Sequence, residues 1–111
     1  MSAYPGVSLS AAGASPPIYI TPGPSSYFLP ISSLGLICTV SPGASLVYSV
    51  QVSADPITGS NPNLTNWNNH DVLTNQAGSA NSNIVYPVTA VRLNVTSYTS
   101  GSVNLGVAQW P

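Results

Sequence analysis

His70 and Asp71 follow one another three residues after Trp67, in the Asn-rich stretch TGSNPNLTNWNNHD (58–71). An imidazole beside a carboxylate is the pair from which general-base catalysis is built. Two considerations weigh against that chemistry. Neighbours in an extended chain point to opposite sides, so His70 and Asp71 are not expected to orient one another. The chain also holds only two carboxylates, Asp55 and Asp71, and no Gly-x-Ser-x-Gly elbow, so neither a hydrolytic carboxylate pair nor an activated serine is expected. Two carboxylates leave a calcium site short of charge. Cys38, alone in the apolar run LGLIC (34–38), supplies no partner for a disulfide or a metal and is expected to be a small buried hydrophobe. No catalytic residue, cofactor or metal is expected.

Trp67, Asn68, Asn69 and His70 offer a different chemistry. An indole face among amides can contact a sugar or a protein surface, so these four are candidate surface-loop contacts. Sugar platforms commonly use more than one aromatic, and the favoured expectation is that Trp67 covers one end of the apolar core. Arg92 is the chain's single Lys or Arg, and it lies in AVRLNVTSYTSGSVNLGVAQW (90–110). It either faces an acidic patch on a partner or is held inside the subunit by Asp55 or Asp71. The internal ion pair is the favoured expectation, because so few other groups can neutralise the charge.

The composition frames these candidates. Charged residues make up 3% of the chain, against about a quarter in ordinary globular domains. The apolar fraction, 43%, is ordinary. Ser, Thr and Asn must therefore keep the surface wet, and little repulsion keeps copies apart. Such a chain is suited to life packed against other protein. One Arg cannot neutralise a run of phosphates, so nucleic-acid binding is excluded. No apolar run approaches the roughly 20 residues of a membrane span, and the opening residues show no secretory-signal pattern.

The elements that must position these residues read as strands. Val, Ile, Thr and Tyr occur in short alternating runs bounded by Pro, Gly, Ser and Asn, with no helical period. Strands are expected at 17–21, 26–31, 34–40, 45–53, 84–88, 90–98 and 102–109, with a short element near 70–73. Hairpin turns are expected at SPGA (41–44) and TSGS (99–102). Residues 1–16 are small, polar and punctuated by Pro and Gly, which predicts a flexible N-terminal arm ahead of a domain over 17–111. Leu46, Tyr48, Val50 and Val52 share one face of their strand, as do Val91, Leu93 and Val95 and, after the last turn, Val103, Leu105 and Val107. The fold class is all-β, an antiparallel β-sandwich or jelly roll of seven or eight strands with an extended arm.

The order of SPGASLVYSVQVSADP, WNNHDVLTNQAGSANSNIVYPV and AVRLNVTSYTSGSVNL resembles the small head decoration proteins, also called cement or staple proteins, of short-tailed bacteriophages of the epsilon-fifteen kind. The resemblance covers roughly residues 40–109. It implies a jelly-roll subunit on the outer surface of the virion, made in the host bacterium. There it would bind the major capsid protein and copies of itself and clamp neighbouring shell subunits together. The alternative is a carbohydrate- or receptor-binding sandwich associated with a phage tail or fibre.

Overall fold

The computed structural model describes residues 2–20, 33–54, 65–85 and 88–110. Every regular element among them is a strand: β1 (Ser2–Leu9), β2 (Gly13–Ala14), β3 (Ile18–Tyr19), β4 (Ser33–Val40), β5 (Ser45–Ser53), β6 (Asn68–Asn69), β7 (Ala80–Ile84), β8 (Ala90–Ser100) and β9 (Val103–Trp110). They pair antiparallel in two sheets. Sheet A has the order β1-β9-β4-β7; sheet B has the order β2-β8-β5-β6, with β3 also paired to β8.

The period-two pattern dictates how the sheets meet. In β4, Leu34, Leu36 and Cys38 are buried while Gly35, Ile37 and Thr39 are exposed. Leu46, Tyr48, Val50 and Val52 of β5, Val91, Leu93 and Val95 of β8, and Val103, Leu105 and Val107 of β9 join them in one core between the sheets. Each fully buried side chain of this kind contributes about 1.5–3 kcal/mol. Tyr48 is the largest, and its hydroxyl donates to the carbonyl of Gly78 at 2.8 Å.

Both expected hairpins are corners instead. SPGA carries the chain from β4 in sheet A to β5 in sheet B, and TSGS carries it back from β8 to β9. Turn chemistry is as expected, with Gly43 at φ 75° and Gly101 at φ 91°, yet the flanking strands pair with other partners. The two corners lie side by side: the Ser41 N–H donates to the Ser102 carbonyl at 2.9 Å and the Ser102 N–H to Ser41 Oγ at 3.0 Å. A Cβ on Gly101 would stand 2.3 Å from that of Ala44, so only glycine fits there. Alternation within a strand tells which side chains share a face; it does not tell whether the next strand lies beside it or across the core.

The N-terminal segment also differs from expectation. Rather than an unpaired arm, residues 2–9 form an edge strand registered from Ser2↔Gln109 to Leu9↔Val103, after which β2 and β3 cross to β8 in the other sheet. An edge strand is held by backbone bonds on one side and needs few apolar side chains; Tyr4, Val7 and Leu9 supply them. Pro5 and Gly6 sit where the register shifts between Tyr4 and Val7, a bulge that blunts the open edge. Pro16 and Pro17 interrupt the strand on sheet B because neither can donate. Ser15 mends the ladder just before the break: its N–H donates to the Leu93 carbonyl at 2.7 Å and its Oγ accepts from the Leu93 N–H at 2.9 Å.

Of the remaining expected strands, 26–31 lies outside the described residues. Of the strand expected at 84–88, residues 86 and 87 lie outside the described residues, and β7 ends at Ile84. ANSNI reads as polar, but β7 is an edge strand turning only alternate residues toward β4 and the core. No strand forms at 70–73, where the chain bends around His70.

Candidate functional site

The registers of sheet B put three polar side chains in one row. Gln51 of β5 is paired with Arg92 of β8 on one side and Asn69 of β6 on the other, all pointing away from the core. Arg92 Nε donates to Gln51 Oε1 at 2.8 Å, and Gln51 Nε2 donates to Asn69 Oδ1 at 3.1 Å. Extending the β5–β6 register by one residue brings Trp67 level with Ser53, a small side chain that leaves room above it. The indole then reaches Arg92, with the guanidinium carbon 4.2 Å from the ring centroid. A cation–π contact of this kind contributes about 0.5–2 kcal/mol, more as it is shielded from water. Burial lowers the pKa of Arg92 from the ordinary arginine value, and the guanidinium remains a cation.

The expected ion pair of Arg92 with Asp71 does not form. Asp71 lies beyond β6, two strands away from β8, with an 83% exposed side chain, and its Oδ1 is 3.4 Å from His70 Nδ1. Asp55 lies outside the described residues. Among the described residues, the neutral amide of Gln51 and the face of Trp67 hold the guanidinium. Trp67 does not cover the end of the core; it is half-buried on the outer face of sheet B.

His70 is a clasp rather than a surface contact. Its Nδ1 accepts the N–H groups of Val72 and Leu73, both at 3.1 Å, and its Nε2 lies 2.9 Å from the carbonyl of Asn83 on β7. The first two bonds require a bare Nδ1, so Nε2 carries the proton and donates to Asn83. The Val50 carbonyl accepts from the His70 N–H at 2.7 Å and the Val50 N–H donates to the Leu73 carbonyl at 2.8 Å, which ties the bend to the edge of β5. Leu73 is thereby driven fully into the core. One imidazole thus joins the edge of sheet B to the edge of sheet A. His70 and Asp71 do approach each other, contrary to the strand-based expectation, because the chain bends here. The geometry is not that of a catalytic dyad: both ring nitrogens are engaged, the side chain is buried, and a bare Nδ1 has no proton for Asp71 to accept. Asn68 and Asn69 are exposed, so of the four candidate contacts only Trp67, Asn68 and Asn69 reach the surface.

The outer face of sheet A was not singled out by the sequence. Gly35, Ile37, Gly106 and Ala108 lie along adjacent β4 and β9, registered Gly35↔Ala108 and Ile37↔Gly106. With Tyr4 and Val107 they line an open depression of about 300 Å³. Ile37 is 59% exposed beside it. Neither glycine has positive φ, and a Cβ at either would meet only ordinary contacts at 3.8 Å. The fold does not require them. The signal available in the sequence was their place inside strands, where glycine marks a surface that another backbone approaches closely.

Among the described residues no group of three or more His, Cys, Asp or Glu side chains could hold a metal ion, and no helix is long and apolar enough to cross a membrane. Compared with protein-family models, curated proteins and solved structures, the chain matches none of them.

Proposed function

We propose that this chain is a structural virion protein, a capsid decoration or cement protein that binds the outside of a phage's major capsid protein shell and bridges neighbouring subunits. The observation that carries the proposal is the strand order. Among the described residues, with β2 and β3 counted as one interrupted strand, β1-β9-β4-β7 faces β2/β3-β8-β5-β6, an order that supports a jelly-roll reading, a fold that recurs in viral capsid proteins. It fits the resemblance of residues 40–109 to phage head decoration proteins. Two further features support it. A surface with almost no charge lowers the side-chain entropy lost on packing against protein, since long Lys and Glu chains have the most to lose. A bridging protein also needs two separate contact faces, and the sandwich has two outer faces of different character, a polar row on sheet B and an open depression on sheet A.

Jelly rolls also serve as lectins, and a tail-associated carbohydrate- or receptor-binding module is the alternative. It has less support, because the indole that a sugar ring would use already lies over Arg92.

Deletion of the gene in its phage separates the two. Particles lacking a cement protein assemble but release DNA on heating or at low ionic strength, and purified protein added back restores them. Loss of adsorption with unchanged particle stability would establish the receptor-binding alternative instead.

A further inference from the structure

Among the described residues, the groups that hold the Arg92 guanidinium are all neutral. Gln51 receives its Nε–H, and because a guanidinium can only donate, the amide oxygen must face Arg92 and Gln51 Nε2 is left to donate to Asn69 Oδ1. The relay across three strands therefore fixes the side chain from one edge, while Trp67 covers a face of its plane. The fork of terminal N–H groups finds no acceptor among the described residues, whose lone carboxylate, Asp71, sits against His70. A partly desolvated cation that no described carboxylate neutralises is costly to keep. Where it is also locked in orientation, that cost is recovered when an anion arrives.

We infer that Arg92 is a carboxylate-binding site, and that an Asp or Glu side chain of a partner protein docks on the outer face of sheet B by a bidentate contact with its terminal nitrogens. The fork matches the two oxygens of a carboxylate in geometry. A single cation balances a monoanion but leaves a phosphate dianion half neutralised. Stacking and the Gln51 bond have already removed the rotamer freedom that binding would otherwise cost. Trp and Arg together are also the residues that most often dominate protein interfaces. An acidic sugar is disfavoured because the guanidinium lies over the face on which its ring would stack. The inference rests on sheet B alone and stands whether or not the partner is a capsid shell.

The chain contains one arginine, so its Nε–H gives one unambiguous signal in a spectrum of the ¹⁵N-labelled full-length protein. Titration with sodium acetate, and with a blocked Gly-Glu-Gly peptide, should shift that signal and the Trp67 indole N–H along a saturating curve. Sodium chloride at equal ionic strength should not. In Arg92→Lys, which keeps the charge and loses the fork, the acetate-induced shift of the Trp67 indole should disappear. Equal shifts in chloride and acetate would overturn the inference, as would an undiminished response in Arg92→Lys. Methyl glucuronide saturating at a far lower concentration than acetate or the peptide would overturn it in favour of a glycan site.

Discussion

The two outer faces of the sandwich carry contrasting solutions to a surface without charge. On sheet B, Arg92, Gln51, Asn69 and Trp67 are tied to one another, and the segment around His70 is fastened along the edge of β5. On sheet A, Gly35, Gly106, Ala108 and Ile37 leave the backbone bare around an open depression. The first face is ordered before any partner comes and offers a directed polar contact. The second offers shape, with one protruding Ile37 beside a floor of small residues. The difference teaches that absence of charge does not make a surface featureless. A chain with one cation can build one specific polar contact, and elsewhere its surface is varied by shape and backbone access.

The largest effect is expected where the covering of sheet B is fastened. His70→Ala removes the acceptor for two amide N–H groups and the donor to Asn83, and leaves a cavity beside Leu73. Each orphaned buried group costs about 1–3 kcal/mol, so the isolated protein should lose about 4 kcal/mol in a urea titration. Amide exchange should quicken first along β5 and β7. A loss below about 1 kcal/mol would mean that the bend stands without the imidazole, and that the two faces are not unequal in the way described.

What was legible in the sequence follows the same division. Leu46, Tyr48, Val50 and Val52, with Val91–Val95 and Val103–Val107, declare the core because alternation is local and strict. The pairing of strands is not local, so SPGA and TSGS looked like hairpins when they are corners. β1 and β7 were missed because edge strands need few apolar residues, and ANSNI and SAYPGVSL look like loops in composition. At the site, Arg92 was recognisable as exceptional and Trp67 as a surface candidate. Their union was not legible, because it depends on registers that bring Gln51 level with both Arg92 and Asn69. His70 was misplaced for a related reason: its role depends on a bend, and the composition around it suggested only loop or strand.

Between the faces, Cys38 of sheet A and Tyr48 of sheet B test how dry the shared core is. Burial pushes the Cys38 thiol up to about 11, partly opposed by its hydrogen bond to Tyr48. Burial also raises the Tyr48 phenol, with Cys38 adding to it. In the native state both groups hold their protons to higher pH than in the unfolded chain. Between about pH 9 and 11 the unfolded chain therefore binds fewer protons, and stability falls as pH rises. For Cys38 the fall by pH 11 is on the order of 2 kcal/mol. Denaturant titrations from pH 8 to 11 should show it, with a shallower slope in Cys38→Ala. The same slope in both proteins would show that the thiol does not contribute.

Separating Trp67 from Arg92 should cost less. Arg92→Met keeps most of the side-chain bulk but loses the Gln51 bond and the cation over the indole. It should destabilise the isolated protein by about 1–2 kcal/mol, lowering its melting temperature by several degrees. Trp67→Leu should have a similar effect, and the double variant should cost clearly less than the sum, since both remove one contact. Additive losses would mean that the two side chains act independently and that sheet B carries no pre-formed unit.

The smallest effect is expected on sheet A, and with the opposite sign. Gly35 and Gly106 lie inside strands with ordinary φ, and a Cβ there meets nothing closer than 3.8 Å. Alanine at either position restricts the unfolded chain without straining the folded one, so Gly35→Ala and Gly106→Ala should each stabilise the isolated protein by about 0.5–1 kcal/mol. A residue that lowers stability without serving a turn or an internal contact is retained for something outside the subunit. If that is the close approach of a partner's backbone, and the partner is the proposed capsid shell, the stabilised Gly106→Ala protein should bind phage particles more weakly, because each methyl lifts the partner from the floor of the depression. Arg92→Met should also weaken particle binding, but with loss of stability rather than gain. Opposite signs in stability with the same sign in binding would assign both faces to contact. Unchanged binding by Gly106→Ala would leave sheet B as the contact face and sheet A as exposed surface.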